Sequence, residues 1–351
     1  MKPLANKCRV ERSVRPPVHL AIVILLVAGL AATAPRAAAQ APLPITIGYL
    51  AGSDWLLYTA RDLKLFEKEG LAPAYVTFPA GVPMIAAAQS TSIDVGALGV
   101  VPFMLGLSQG VDWVMIGLAE GAYSQGIVAG KDSGIETPAD LRGKKIGYFR
   151  GSGAQYGLAM ALRQSGIRPD QVTLLHMTPA EQLGALTKKE IDAAMVWEPW
   201  MQRMIHESGG RIIATEGDLG IYLNVSGLAV RRDWLRENRE TAVRFLRALL
   251  AAYDVLQRDN RVAIDAGARA TGISEAMAET IYQDTPPARM QLWADPRYRY
   301  SLVKGSPLDR QLGYLAAFLL EEGIIAKPVD LRGAMDATVI EDALKPARQS
   351  R

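Results

Sequence analysis

Between residues 44 and 230 the chain alternates short apolar, β-branched runs with longer amphipathic stretches. The runs predicted as strands are ITIGYL (45–50), AYVTF (74–78), IDVGAL (93–98), VMIGL (114–118), GIVAG (126–130), KIGYF (145–149), VTLLHM (172–177), IDAAMV (191–196) and RIIAT (211–215). Strands that alternate with helices are typical of a parallel α/β sheet. After residue 230 the strand pattern stops, and helices are expected at 233–259, 261–271, 274–284 and 308–322.

Local signals mark two of the helix boundaries. A single helix is predicted for WLLYTARDLKLFEKEG (55–70), which Gly70 would close just past its last turn. Thr137 and Pro138 indicate another helix start, with Thr137 as the N-cap residue and Pro138 in the first helical position.

An internal repeat sets the organisation of the chain. IGYLAGSD (47–54) matches IGYFRGSG (146–153), and IDVGALGVVP (93–102) matches IDAAMVWEP (191–199) at a similar spacing. Short apolar motifs also agree by chance, but two matched pairs favour a duplicated lobe. Two α/β lobes would face each other across a cleft, because ligands of open α/β sheets bind outside the carboxyl ends of the strands.

The first 39 residues have the pattern of a cleaved signal peptide. A basic segment precedes the apolar run LAIVILLVAGL (20–30), and AAAQA (37–41) offers cleavage after Ala39 or Ala41. The run is shorter than the roughly 20 residues that span a membrane. The only cysteine, Cys8, precedes the run and cannot be a lipoprotein cysteine. We therefore expect a periplasmic protein that starts near Gln40 or Pro42 and contains no disulfide.

Removal of the leader changes the charge of the protein. The leader carries six of the 39 basic residues and one of the 36 acidic residues, so the remainder has a net charge of about −2. A nucleic-acid surface is not indicated. The remaining length is long for one core and suits two lobes.

The turn after KIGYF has the chemistry of an anion site. Gly151, Ser152 and Gly153 precede an apolar helix pattern, but Tyr156 interrupts the dinucleotide fingerprint and no P-loop lysine follows. The first amides of a helix lack internal partners, so they favour an anion without a charged side chain. Ser152 either donates its hydroxyl to such a ligand or caps its own helix.

The matching first turn differs at one position, because Asp54 stands where the second turn has Gly153. Asp54 is either the N-cap of its helix or a cleft residue that repels an anion and accepts from an amine or hydroxyl. Trp55 beside it is either a wall of the cleft or a core residue. The difference predicts a polarised ligand, with its acidic group against Ser152, Gly153 and Ala154.

MVWEPWM (195–201) places an aromatic residue and a carboxylate at the end of a strand. Trp197 offers a flat apolar wall to a small ligand. Glu198 either accepts from a ligand donor or favours the N-terminus of the next helix by its charge. We expect Trp200 to pack rather than to contact the ligand.

The sequence gives little support for catalysis. His176 lies in a predicted strand, His206 lies on a polar helix, and no cluster has metal-ligand spacing. The G-x-S-x-G motif of a nucleophile elbow is absent from the sequence. The sequence therefore favours a binding protein over an enzyme and predicts neither a cofactor nor a metal.

Three segments resemble the solute-binding proteins of ABC transporters in the nitrate/sulfonate/taurine class, which is related to the thiamine-pyrimidine (NMT1/THI5-like) group. They are ARDLKLFEKEGL (60–71), DLRGKKIGYFRGSGAQYGLAMALRQSGI (140–167) and TPAEQLGALTKKEIDAAMVWEPW (178–200), and the resemblance spans residues 44–260. It implies a periplasmic-binding-protein fold (type II-like) of two α/β lobes joined by two hinge crossings, with the C-terminal helices packed on the first lobe. Lobe 1 is expected at 42–122 and 228–351, and lobe 2 at 123–227.

The resemblance also implies where a ligand is bound. Carried over by position, the binding residues are Gly52, Ser53, Asp54, Leu98, Gly99, Tyr123, Ser124, Ser152, Gly153, Ala154, Gln155, Trp197, Glu198 and Asn224. To these the first turn adds Trp55. The protein would bind a small organic anion (an aliphatic sulfonate, a taurine-like compound or a carboxylate) and dock as a monomer on a membrane permease with its ATPase.

Two departures from the family pattern bear on the ligand. The second turn of the family often carries a histidine where this chain has Gln155, which weakens the case for a strongly anionic ligand. Enzymatic pyrimidine synthases of the group use clustered cysteines, which the chain lacks after its leader. A periplasmic sensor domain, or a binder of nitrate or a pyrimidine, remains an alternative to an importer component.

Overall fold

The computed structural model describes residues 41–346, apart from 53, 121–124 and 222–223. The strands are β1 Leu43–Leu50, β2 Leu71–Phe78, β3 Val95–Gly99, β4 Trp113–Glu120, β5 Gln125–Ala129, β6 Lys145–Tyr148, β7 Thr173–His176, β8 Ala193–Trp197, β9 Arg211–Thr215 and β10 Ser226–Arg231. The α-helices are α1 Trp55–Asp62, α2 Leu65–Lys68, α3 Pro83–Gln89, α4 Val100–Ser108, α5 Gly153–Gln164, α6 Pro179–Thr187, α7 Trp200–Ser208, α8 Arg232–Glu237, α9 Arg239–Arg258, α10 Arg261–Thr271, α11 Glu275–Asp284, α12 Pro307–Glu321 and α13 Thr338–Leu344.

The strands form two sheets with the same internal order. The first sheet runs β2-β1-β3-β10-β4, and the second runs β7-β6-β8-β5-β9. In each sheet the three leading strands are parallel, and the fourth position is filled by a strand that arrives from the other sheet. The shared order agrees with the sequence repeat, and the two-lobed α/β fold expected from the resemblance is confirmed.

The predicted parallel arrangement holds for three strands of each sheet, but both sheets are mixed. β10 runs antiparallel to β3 and β4, and β5 runs antiparallel to β8 and β9. The chain leaves each sheet on the side of the cleft, where the parallel strands have their carboxyl-terminal ends, and it enters the other sheet on the same side. A strand that starts on this side runs in the direction opposite to its parallel neighbours. The residues of β10 were not among the predicted strands.

Helices α9 and α11 pack on the side of the first sheet, whereas Phe318 of α12 also meets Tyr156 of α5 with ring centroids 5.1 Å apart. Phe245 of α9 stacks on Phe66 of α2 with ring centroids 5.3 Å apart, and Tyr282 of α11 meets the Trp55 ring edge-on at 5.3 Å. Met335 forms an isolated parallel bridge with Met115 of β4. The expected packing on the first lobe is confirmed for α9 and α11, whereas the lobe boundaries at 122–123 and 227–228 stay a prediction.

Two predicted helices are interrupted. The helix predicted over 55–70 breaks between α1 and α2, where Lys64 adopts a left-handed conformation (φ 52°). Gly70 ends the segment with φ 74°, as predicted. The stretch predicted at 233–259 divides into α8 and α9 at Asn238, and the turn of helix after Thr137 is a short 3-10 helix with a capping box. Within the described part of the chain, no helix has the length and apolar character needed to span a membrane.

Candidate functional site

A cavity of about 50 Å³ lies between the strand ends of the two sheets. The first-sheet side contributes Leu50, Gly52, Asp54, Gly81, Gly99, Pro102 and Ser226, and the second-sheet side contributes Gln125, Ser152, Gly153, Trp197 and Glu198. The two sides approach closely, because a Cβ atom on Gly52 would lie 3.6 Å from the carbonyl oxygen of Glu198. Both repeated turns therefore reach one cavity.

The Tyr58 side chain of α1 forms hydrogen bonds with the backbone of the first turn. Its hydroxyl accepts from the amide of Gly52 at 3.0 Å and donates to the carbonyl of Leu50 at 2.9 Å. Burial, and then the charge of Asp54, raise the pKa of the Tyr58 hydroxyl well above its usual value. The phenol therefore stays neutral and keeps its proton for the Leu50 carbonyl. Tyr58 was not among the site residues expected from the sequence.

Asp54 occupies the N-cap position of α1 without acting as a side-chain cap. Its side chain forms no capping hydrogen bond to the helix, and it lines the cavity while only 4% exposed. Of the two interpretations left open by the sequence, the geometry places the carboxylate on the cavity wall.

Two polar side chains of the second turn form hydrogen bonds with the backbone of the same turn. The Ser152 hydroxyl donates to the carbonyl of Phe149 at 2.7 Å, and Gln155 Oε1 accepts from the amide of Gly151 at 2.7 Å. Ser152 lines the cavity but does not cap α5 with its side chain, so contact of its hydroxyl with a ligand stays a prediction. What the turn offers the cavity is backbone, since α5 begins at Gly153 and its first amides have no partner within the helix.

Two buried amide side chains surround Gly153. A Cβ atom on Gly153 would lie 2.6 Å from both Gln125 Nε2 and Asn224 Nδ2. Gln125 lines the cavity while 8% exposed, and Asn224 is 6% exposed and donates to Glu216 Oε1. Asn224 was expected near the return crossing. Gln125 was missed, because in the sequence it is one polar residue ahead of an apolar strand.

Trp197 and Glu198 end β8 on the cavity wall, as their position in the sequence suggested. Trp197 is half-buried and meets Phe149 edge-on with ring centroids 6.5 Å apart. Glu198 is 3% exposed and accepts from the amide of Gln202 at 3.2 Å, in the first turn of α7. Its carboxylate thus lies at a helix N-terminus and on the cavity at the same time.

Other expected binding residues lie elsewhere. Trp55 was wrong as a cleft wall: it is 2% exposed and its indole donates to the Thr285 carbonyl at 3.0 Å. Leu98 and Ala154 are fully buried and do not line the cavity, because their side chains point into the core. The Gln155 side chain is turned back onto its own loop. Ser53, Tyr123 and Ser124 lie outside the described residues.

The cavity has no metal-binding arrangement. Over the described positions, no group of three or more His, Cys, Asp or Glu side chains could hold a metal ion. The chemistry that the wall offers is therefore hydrogen bonding, helix-terminal amides, carboxylates and one aromatic face.

The fold and the sequence match known binding proteins. A protein of Escherichia coli (strain K12) that is named for binding aliphatic sulfonates is 27% identical over 326 residues, which cover 89% of this chain and 95% of the relative. The crystal structure of the periplasmic aliphatic sulphonate binding protein SsuA from Escherichia coli superposes with a TM-score of 0.71 at 24% identity, covering 86% of this chain and 99% of that one.

The same fold also occurs in an enzyme. The desulfurization enzyme DSZB matches with a TM-score of 0.62 at 17% identity, covering 86% of this chain and 99% of the enzyme. The fold alone therefore does not separate binding from catalysis. The family model named NMT1-like matches residues 38–269, well over half of the chain. In agreement with the resemblance found in the sequence, the chain belongs to the NMT1-like family.

Proposed function

We propose that the protein is the periplasmic solute-binding component of an ABC importer and that it binds a small organic anion, an aliphatic sulfonate or a carboxylate. The observation that carries the proposal is the cavity itself, which both repeated strand-end turns line from opposite lobes. Relatives that are named for binding aliphatic sulfonates or taurine support the ligand class.

The acidic group of the ligand would lie against the start of α5. The helix dipole and the first amides of α5, at Gly153 and Ala154, which have no partner within the helix, would favour a negative charge there without a basic side chain. Gly153 allows a close approach of the ligand to the backbone, since any larger residue would collide with Gln125 and Asn224. The face of Trp197 would cover the apolar part of the ligand.

The size of the cavity points to a ligand of a few heavy atoms. A volume of about 50 Å³ holds roughly three to five water molecules at about 10–15 Å³ each. A short-chain acid fits this space better than an aromatic acid. Binding would close lobe 1 (42–122 and 228–351) on lobe 2 (123–227), and the closed monomer would dock on the permease.

Export is part of the proposed role. Residues 1–39 would be removed as a signal peptide, so that the protein acts in the periplasm, as relatives with periplasmic names do. The leader lies outside the described residues. N-terminal sequencing of protein recovered from the periplasmic fraction should give a start near Gln40 or Pro42.

A thermal-shift screen tests the binding role. Short alkanesulfonates, short carboxylates, nitrate, aromatic acids and pyrimidines are compared, because a ligand that binds only the folded protein raises its melting temperature. We expect the short acids to give the largest shift, and calorimetry should confirm binding to one site. Each ligand should be recovered unchanged after prolonged incubation. Turnover of a bound compound, or the absence of a shift with every short acid, contradicts the proposal.

A further inference from the structure

Glu216 is a deeply buried acidic residue to which the proposed binding of an anion gives no role. It directly follows β9, it is 1% exposed, and it does not line the cavity. Burial of a polar side chain is costly unless neighbouring groups form hydrogen bonds with it. The groups around Glu216 therefore indicate what the residue is for.

Glu216 contacts both segments that follow a crossing between the sheets. Its amide donates to the carbonyl of Gln125 at 3.0 Å, and its Oε1 atom accepts from Nδ2 of Asn224. Gln125 is the first residue of β5, and Asn224 lies two positions before β10. One residue thus connects the chain that has just entered the second sheet with the chain that is about to enter the first.

One face of α5 packs directly on these groups. A Cβ atom on Gly153 would lie 2.6 Å from Asn224 Nδ2, and one on Gly157 would lie 3.6 Å from Glu216 Oε1. The two glycines are four positions apart, so they lie on the same face of the helix. Because Gly153 also lines the cavity, the start of α5 is placed by its packing on Asn224.

The hydrogen bond to Glu216 fixes the direction of the Asn224 amide. Among the described residues, Nδ2 of Asn224 donates to Glu216, whereas its buried Oδ1 atom has no hydrogen-bond partner. Without the acceptor on Glu216, neither end of this amide would have a partner in the described chain. The amide could then rotate, and the backbone of Gly153 would lose the surface on which it packs.

From these contacts we infer that Glu216 is a positioning residue of the ligand site. It holds the Asn224 amide and, through this amide, the start of α5, where the acidic group of the ligand binds. Glu216 does not contact the ligand itself. The inference rests on the proposed function, because it requires the anion subsite at Gly153.

Calorimetry with ethanesulfonate and with propanoate tests this role. Glu216→Ala removes the acceptor and should weaken the binding of both acids about tenfold, which corresponds to the loss of one strong hydrogen bond. Glu216→Gln keeps an acceptor oxygen on a side chain of the same length, and its affinities should stay within about threefold of those of the parent. Equal losses in the two variants overturn the inference.

A double substitution shows whether the effect passes through Asn224. Asn224→Ala should weaken binding about as much as Glu216→Ala does, and the two changes together should weaken it no further than either change alone. Losses that add in the double variant overturn the inference, because they would show that Glu216 acts independently of Asn224. If Glu216→Ala does not fold, Asn224→Ala carries the test, and full affinity in that variant overturns the inference.

Leu183→Ala separates positioning from a general loss of stability. Leu183 of α6 is buried in the smaller apolar cluster beside the second sheet and does not line the cavity. Its truncation should lower the melting temperature and leave the affinity for both acids unchanged. If Leu183→Ala and Glu216→Ala lose affinity in proportion to their loss of melting temperature, Glu216 acts through stability alone and the inference is overturned.

The outcomes separate this inference from the proposed function. If the parent binds the acids and the folded Glu216→Ala protein binds them equally well, the inference fails and the proposed function stands. If the parent binds neither acid, the proposed binding of a short organic anion fails, and the inference fails with it.

Discussion

Asp94 and Thr46 are joined by two hydrogen bonds at the start of the first sheet. Asp94 Oδ2 accepts from the amide of Thr46 at 2.7 Å, and the amide of Asp94 donates to the carbonyl of Thr46 at 2.8 Å. Asp192 and Lys145 form the same two bonds at the same distances in the second sheet. Since Thr46 and Lys145 precede the two copies of Ile-Gly-Tyr, this contact gives the repeated Ile-Asp pair a structural reason.

The glycine of each copy belongs to the same arrangement. A Cβ atom on Gly48 would lie 3.1 Å from Ile93 Cδ1, and one on Gly147 would lie 2.9 Å from Ile191 Cδ1. In each Ile-Asp pair the isoleucine packs against the glycine, and the aspartate carboxylate accepts from the amide of the residue two positions before that glycine. The repeat therefore sets how the third strand docks on the first in both lobes.

Replacing the two aspartates by alanine should destabilise the protein unequally. Asp94→Ala should lower the free energy of unfolding by about 1–3 kcal/mol, because the half-buried amide of Thr46 loses its partner. Asp192→Ala should lower it by less, since Lys145 is exposed and water can replace the carboxylate. Urea denaturation followed by circular dichroism measures both values. A larger loss at Asp192 than at Asp94 would contradict this account.

The sequence predicted the parts of the fold that depend on local pattern. The strand-helix alternation, the strand-end turns and the Trp197-Glu198 pair could be found from apolar periodicity and the repeat. The direction of β10 could not, because it follows from where the chain crosses between the sheets. Local pattern does not record that path.

The errors at the site have long-range causes. Trp55 follows a cleft turn, but its ring packs where a Cβ atom on Gly267 would lie 2.2 Å away. The space for the ring in the core exists because a glycine stands 212 positions further along the chain. Gln125 reaches the cavity because β5 starts at the cleft and runs antiparallel to β8, a direction that the strand pattern did not predict.

Tyr58→Phe should weaken ligand binding, although the Tyr58 side chain does not line the cavity. The change removes the hydroxyl that connects the Leu50 carbonyl to the Gly52 amide, and it leaves both groups without this partner. We expect a loss of about 1–3 kcal/mol in unfolding free energy together with a lower affinity. Tyr314→Phe, at a side chain that is 72% exposed, serves as the control and should change neither quantity. Full affinity in a destabilised Tyr58→Phe protein would show that the turn does not need this support.

Trp197→Ala should weaken binding by about 1–3 kcal/mol, the range for truncating an important contact residue. The residue lines the cavity and is only half-buried, so the fold should survive. Trp200→Ala is the matched control. Trp200 lies three positions further along and does not line the cavity. The Arg203 guanidinium lies over its ring, 4.9 Å from the ring centre. Calorimetry and melting curves on both variants separate binding from packing. Equal losses of affinity would argue against a specific role for Trp197.

Ligand binding should compact the protein without changing its secondary structure. The lobes meet at the mouth of the cleft, where a Cβ atom on Gly151 would lie 3.0 Å from Leu105 Cδ2 and Val82 Cγ2. Separation of the lobes about the crossings would break this contact and widen the entrance for a ligand. Small-angle scattering should therefore give a larger radius of gyration without ligand than with saturating ligand. An unchanged radius together with proven binding would indicate a rigid pocket.

Substitutions at Gly153 test the anion subsite in two steps. Gly153→Ala places a Cβ atom 2.6 Å from Gln125 Nε2 and Asn224 Nδ2. Both atoms are ends of flexible side chains that can move, so we expect a folded protein with weaker binding of a short acid. Gly153→Asp adds to this a carboxylate at the start of α5. The helix N-terminus favours a negative charge, so the new carboxylate would occupy the position proposed for the acidic group of the ligand.

The difference between the two variants isolates the charge. Relative to Gly153→Ala, the Gly153→Asp protein should lose a further tenfold or more in affinity for the acid, because a charge at a helix terminus contributes up to about 2 kcal/mol. Gly184→Ala on α6, where a Cβ atom would meet nothing within 4 Å, controls for the loss of a helical glycine and should bind normally. Calorimetry with one short acid, at a pH where the acid is ionised, compares all three variants. If Gly153→Asp folds and binds the acid as well as the parent does, the acidic group of the ligand does not lie at this turn.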